Sequence, residues 1–108
     1  MAEIQRNAQT QLQVAGIASD DVQQLNGSVG VAPATEIAFA LPTETIEIYN
    51  THATQTLRVY FKRKGGAYNT AYRTLRPYDS YSITARQTAI KLEGSGAGTT
   101  YEIVAVLE

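Results

Sequence analysis

From Thr35 to the C-terminus the hydrophobic residues recur with a period of two, and that alternation restricts the chain more than any other feature. Ile37, Phe39 and Leu41 alternate, then Ile46 and Ile48, Leu57, Val59 and Phe61, Tyr81, Ile83 and Ala85, Ile90 and Leu92, and Tyr101, Ile103, Ala105 and Leu107. Each run is a strand with one face turned inward. The breaks between runs are turn-forming: Leu41-Pro42-Thr43, Asn50-Thr51-His52, Gly65-Gly66, Pro77-Tyr78-Asp79-Ser80 and Gly94 to Gly98. With a further piece at Tyr72 to Leu75, about seven short strands follow one another at the spacing of small antiparallel folds. No helical pattern separates them, so the crossovers that a parallel sheet requires are missing. The expected class is all-β, a small antiparallel β-sandwich or barrel at residues 35–108.

Residues 1–34 read differently. They hold six of the eight glutamines and none of the aromatic residues, which leaves little for a core to use. We expect an N-terminal arm, extended or partly helical. Ile4, Ala8 and Leu12 are spaced by four, and Ser19-Asp20-Asp21 ahead of Val22 and Leu25 offers a helix N-cap with acidic residues in the first turn. Asn26-Gly27, Gly30 and Pro33 would end any such helix. Ile4, Leu12, Val14, Ile17 and Leu25 are the candidate arm contacts. Deleting residues 1–33 is expected to leave the β-domain folded.

A chain of 108 residues is one domain's worth. There is no cysteine, which removes disulfides, thiolate metal sites and cysteine nucleophiles together. No apolar stretch approaches the roughly 20 residues needed to cross a bilayer, and the N-terminus has no signal-peptide pattern, so a soluble chain without a membrane partner is expected.

Catalytic patterns are missing too. His52, the single histidine, lies in a turn with no second histidine beside it. Glu36, Glu44 and Glu47 read as outward strand positions, while Glu93 and Glu102 flank the glycine-rich loop and could face each other across a hairpin. A carboxylate pair of that kind is the one arrangement that could serve glycoside hydrolysis. The loop itself lacks the lysine and the following helix of a phosphate-binding loop and reads as a hairpin turn. No enzyme activity, metal or cofactor is expected.

Charge is unevenly distributed. Between Arg58 and Lys91 lie eight of the nine basic residues and a single acid, Asp79, in a chain whose formal net charge is −1. Tyr60, Tyr68, Tyr72, Tyr78 and Tyr81 are interleaved with them, a mixture found on single-stranded nucleic-acid platforms. Alternation offers a simpler account: Arg58, Tyr60 and Lys62 share the face opposite Leu57, Val59 and Phe61, where strand residues meet solvent. Arg63-Lys64-Gly65-Gly66 reads as a hairpin tip. Tyrosine and arginine are also the residues enriched at protein interfaces, and the net acidic charge disfavours a nucleic-acid module. The candidate interface is Arg58, Tyr60, Lys62, Arg63, Lys64, Tyr68, Tyr72 and Arg73. Tyr68 and Tyr72 lie four apart, the spacing that one face of an unbroken strand would give.

The run Ile46-x-Ile48-x-Asn50, Leu57-x-Val59-x-Phe61, Gly65-Gly66, Leu75-x-Pro77-x-Asp79-Ser80, Ile90-Lys91-Leu92-x-Gly94 and Tyr101-x-Ile103 resembles small β-sandwich structural proteins of tailed bacteriophage virions. The likeness covers residues 44–108, and Lys64 stands where many of those proteins carry an aspartate before the glycines. The resemblance implies a non-enzymatic virion protein made in the host cytoplasm, a capsid decoration or cement protein that binds the major capsid protein or another virion protein through the arm and the Arg/Tyr-rich surface and forms a homo-oligomer. A neck, tail or fibre-attachment component is the alternative within that class. A carbohydrate or host-surface module, or a nucleic-acid module, is the alternative outside it.

Overall fold

The structure, a computed structural model, describes residues 21–108. Eight strands follow in order: β1 (Val22–Val29), β2 (Thr35–Ala38), β3 (Thr43–Asn50), β4 (Leu57–Tyr60), β5 (Arg73–Leu75), β6 (Ser80–Thr84), β7 (Ala89–Gly94) and β8 (Thr99–Leu107). One sheet has the order β1-β8-β3-β6, the other β2-β7-β4-β5. Every pairing is antiparallel. The expected all-β sandwich is therefore present, and its strand order is that of a jelly roll.

Period-two alternation builds the core. Ile46 and Ile48 of β3, Leu57 and Val59 of β4, Ile90 and Leu92 of β7, and Ile103, Ala105 and Leu107 of β8 turn between the sheets and are buried. Register places like against like: Ile46 opposes Ile83 and Ala105, and Ile48 opposes Tyr81 and Ile103. Strand residues paired in this way share a face, so each contact reinforces its neighbour.

β1 corrects the sequence reading. Val22 to Val29 is a strand rather than a helical turn, laid along β8 over its whole length. Local spacing favoured a helix, but the long edge of β8 supplies a ladder for every backbone group of the segment, and tertiary pairing overrides weak propensity. Leu25 packs against the core opposite Ile103, and Val29 is buried. Gly27, expected to break a helix, lies within the strand opposite Tyr101, and a side chain there would come within 3.0 Å of the tyrosine hydroxyl. The sandwich thus begins at Val22, so a deletion to residue 33 would remove one of its strands. The other candidate arm contacts, Ile4, Leu12, Val14 and Ile17, lie outside the described residues.

Connections also differ from expectation. Only β4 and β5 form a hairpin within one sheet; every other link between described strands passes from one sheet to the other. Gly94 to Gly98 is such a crossing rather than a hairpin turn, because β7 and β8 belong to different sheets. The crossings define two poles. At one, the buried amide of Asn50 donates to the carbonyls of Gln55, Leu75 and Arg76 while its oxygen accepts the His52 backbone N–H. At the other, the Thr43 hydroxyl donates to the Ala85 carbonyl and accepts the Gln87 N–H.

Candidate functional site

The outer face of the β2-β7-β4-β5 sheet gathers most of the expected interface residues. Leu57 and Val59 face inward, so Arg58 and Tyr60 face out. Register then supplies partners that lie far away in sequence: Arg58 is opposite Glu93, Tyr60 is opposite Lys91, and Lys91 is opposite Glu36. Beyond β4 a lone bridge pairs Lys62 with Tyr68 and brings that tyrosine back over the face.

The side chains close a network. The Tyr60 hydroxyl donates to Glu93 Oε1 at 2.8 Å, and Arg58 Nη1 lies 4.0 Å from the same oxygen. The Arg58 guanidinium covers the Tyr72 ring at 4.6 Å, and Tyr72 meets Tyr60 edge-on with centroids 5.4 Å apart. The Tyr68 hydroxyl donates to Glu36 Oε2 at 2.6 Å, while the ammonium groups of Lys91 and Lys62 lie 4.6 and 5.4 Å from its ring centre. Such cation contacts are held by the ring quadrupole. The Tyr60 phenol is raised above its ordinary pKa by the hydrogen bond to Glu93, then by burial. Burial raises the Tyr68 phenol further, with the Glu36 hydrogen bond second.

Three cations, Arg58, Lys62 and Lys91, therefore face two carboxylates, Glu36 and Glu93. On this face the positive charge counted along the chain is largely offset in space. Glu36, Lys91 and Glu93 were absent from the sequence-derived interface. Their outward parity was readable, but the register that sets them beside Arg58 and Tyr60 was not.

Other expected members lie elsewhere. Arg73 is the Cα partner of buried Val59, which turns it to the inner side of the sheet, and its guanidinium covers the Tyr81 ring of the opposite sheet at 4.6 Å. It stays exposed at the flank between β5 and β6, off the outer face. Tyr68 and Tyr72 do reach one face, but through an irregular stretch rather than an unbroken strand. Arg63 and Lys64 are exposed at the hairpin tip, where Gly66 donates to the Arg63 carbonyl and both glycines hold positive φ. Between that tip and the residues before β7 lies a cleft of about 520 Å³ lined by Lys62, Arg63, Lys64, Arg86, Gln87 and Thr88.

Geometry removes the catalytic alternative considered from sequence. Glu93 faces outward from one sheet and Glu102 outward from the other, so the thickness of the sandwich separates them. His52 Nδ1 accepts the backbone N–H groups of Thr54 and Gln55 and closes a turn. Among the described residues no group of three or more His, Cys, Asp or Glu side chains is placed to hold a metal ion.

No protein-family model and no curated protein matches the sequence. Among solved structures, the fold is shared with a protein of Bacillus endospore appendages, a family of disulfide-linked pili. The TM-score is 0.54 at 17% identity, with 82% of this chain and 87% of that one covered. A crystal structure of PirA superposes at a TM-score of 0.42 and 12% identity over 86% of this chain and 99% of that one, too loosely to carry an argument. The 108 residues here contain no cysteine, so the linkage named for the appendage pili is not open to them.

Proposed function

We propose that this chain is a non-enzymatic structural protein that acts as one subunit of a larger protein assembly. The observation that carries the reading is the closed tyrosine–cation–carboxylate network on the outer sheet face. The hydroxyls of Tyr60 and Tyr68 and the three cations there are already engaged inside the molecule, yet Tyr72 keeps 46% of its surface exposed and Arg58 stays at the surface. A face whose rotamers are fixed before binding loses little entropy on docking, and tyrosine and arginine are the side chains that anchor protein contacts. The same pairing disfavours polyanions, which draw affinity from unpaired cations. It disfavours sugar stacking as well, because cations already cover the rings of Tyr68 and Tyr72.

The finer reading is a virion decoration protein, attached to a capsid surface made of repeated sites, with a neck, tail or fibre position next in order. Its support is the resemblance at residues 44–108. Each subunit would bind weakly and gain avidity from neighbours. A second reading, a subunit of a filament built from its own copies, is favoured by the shared fold with an appendage pilus protein.

Light scattering of the full chain across a range of concentration and salt tests the coarse proposal, alongside titration with a labelled single-stranded oligonucleotide and a glycan array. Self-association, or stoichiometric co-sedimentation with the shells of the virion that encodes it, is the expected result. A strict monomer that binds oligonucleotide or glycan with micromolar affinity would overturn it.

A further inference from the structure

Tyr78 is out of keeping with its position. Asp79 N donates to the Arg76 carbonyl and Arg76 N donates to Asp79 Oδ2, closing a four-residue turn with Pro77 second and Tyr78 third. Tyr78 holds φ at +64°. Positive φ at the third position after a proline is the geometry that glycine or asparagine fills without strain, and a bulky aromatic residue is an outlier there. The strained backbone aims the ring outward, where 72% of the residue is exposed. Among the described residues its ring stacks on nothing and its hydroxyl donates to nothing. Tyr60, Tyr68, Tyr72 and Tyr81 are each engaged by a cation, a carboxylate or another ring.

The complementary feature lies at the other pole. The turn follows Leu75 and is tied to Asn50, whereas the cleft beside the hairpin tip follows Tyr60 and adjoins Thr43. Its floor is fixed: buried Gln87 accepts the Lys62 backbone N–H, donates to the Lys62 carbonyl and is bonded in turn to Thr43. Lys62 is occupied by Thr88 and Arg86 by Glu108. Arg63 and Lys64, both exposed, have no carboxylate partner among the described residues.

We propose that Tyr78 of one copy seats in the cleft at the hairpin tip of a second copy, with its ring against Arg63 and Lys64. A phenol face is the partner that such cations take in this molecule already, at Arg58 on Tyr72, Lys91 and Lys62 on Tyr68, and Arg73 on Tyr81. Because the projection and the cleft occupy opposite poles of one chain, the contact is heterologous: each copy keeps a free Tyr78 at one end and a free cleft at the other. Such contacts propagate into an open row unless the rotation closes a ring. The inference rests on the structural-subunit reading in taking a second copy of this chain as the partner.

The test uses the full chain in three forms: wild type, Tyr78→Gly, and the double substitution Arg63→Glu with Lys64→Glu. Sedimentation velocity over a concentration series reads association, and a thermal melt reads folding. Wild type is expected to form a concentration-dependent series of oligomers. Tyr78→Gly is expected to melt no lower than wild type, since it relieves the turn, while associating at least tenfold more weakly. The double variant is expected to be monomeric alone. An equimolar mixture of the two is expected to yield a discrete 1:1 dimer, because one retains the cleft and the other retains the tyrosine. Should Tyr78→Gly fail to fold, Tyr78→Asn replaces it, as asparagine tolerates positive φ. Wild type that stays monomeric at the highest soluble concentration overturns the self-contact and leaves attachment to another protein standing. Oligomers that persist unchanged in Tyr78→Gly overturn the role of Tyr78 and leave self-assembly standing. A mixture that gives no heterodimer overturns the pairing of these two features.

Discussion

Replacing Tyr60 by phenylalanine isolates one contact in the tyrosine–cation face. The change deletes the hydroxyl that donates to Glu93 Oε1 at 2.8 Å and leaves the ring, with its contact to Tyr72, in place. The Glu93 side chain is only 12% exposed, and Arg58, 4.0 Å away and itself largely solvated, replaces the lost donor poorly. A hydrogen bond to a charged group contributes about 1.5–3 kcal/mol, and because Tyr60 is half-buried, water recovers part of it, so Tyr60→Phe should cost about 1.5 kcal/mol. Glu93→Gln retains an uncharged acceptor and should cost less, about 1 kcal/mol or below, on the same reasoning. Guanidinium denaturation of the wild type, both single variants and the double variant measures these values and their coupling. The Tyr60 phenol gives an independent readout. Its pKa is raised chiefly by the Glu93 hydrogen bond, so Glu93→Gln should bring phenolate formation at Tyr60 closer to the ordinary tyrosine value. A Tyr60→Phe variant within about 0.5 kcal/mol of wild type, with no coupling to Glu93→Gln, would refute the view that this face is held by internal pairing.

Stability should decline at high pH. The phenols of Tyr49, Tyr60, Tyr68 and Tyr101 all titrate above the ordinary tyrosine value in the folded chain, so the stability they confer is intact below about pH 10 and is lost as pH rises through their folded values. Denaturation midpoints across that range, with phenolate absorbance followed in parallel, would show a fall, and a flat profile would contradict it. Asn50→Ala should cost about 3 kcal/mol, because three carbonyls and one N–H lose their partner and the Leu75 carbonyl is buried. That loss lowers the melting temperature by roughly 10 °C or more, and a shift under about 3 °C would contradict the reasoning. Removing residues 1–33 takes away β1 with buried Val29 and should cost on the order of 3 kcal/mol or more, read from a thermal melt against the full chain. A truncation that melts with the full chain would show that β1 does not stabilise the sandwich.

The strands from Thr35 onward were legible because alternation is a local property: Ile46 and Ile48, or Ile103 and Ala105, declare their inward face whatever they pair with. β1 was not. Gln23, Gln24, Asn26, Gly27 and Ser28 have little strand propensity of their own, and the segment becomes a strand only because β8 offers it an edge. The nature of each connection was hidden for a related reason. Gly94 to Gly98 has the same turn chemistry whether it returns the chain along one sheet or carries it to the other, and only the packing of β7 and β8 into different layers decides between them. At the candidate site, parity alone grouped Arg58, Tyr60 and Lys62. Arg73 was grouped with Tyr72 for its charge and its nearness in sequence, whereas alternation with buried Leu75, two residues on, turns it to the inner side, where it pairs with Val59.

Charge behaves in the same way. Counted along the chain, residues 58–91 are strongly basic; counted across the sheet, Glu36 and Glu93 arrive from β2 and β7 and offset most of the cations on the face. This distinction bears on which surface gains most from a partner. The sheet face has already engaged the Tyr60 and Tyr68 hydroxyls and its cations, so docking there adds area and shape but little new electrostatic attraction, and a partner would be selected by fit. Arg63, Lys64 and the ring of Tyr78 have no partner among the described residues, so a contact between them exchanges water for a cation–ring pair without breaking an existing one. A long-lived assembly of this chain is therefore expected to show two kinds of dependence. Contacts through the face should respond to changes of shape at Tyr72, while contacts through the hairpin tip should respond to the charge of Arg63 and Lys64 and to loss of the Tyr78 ring.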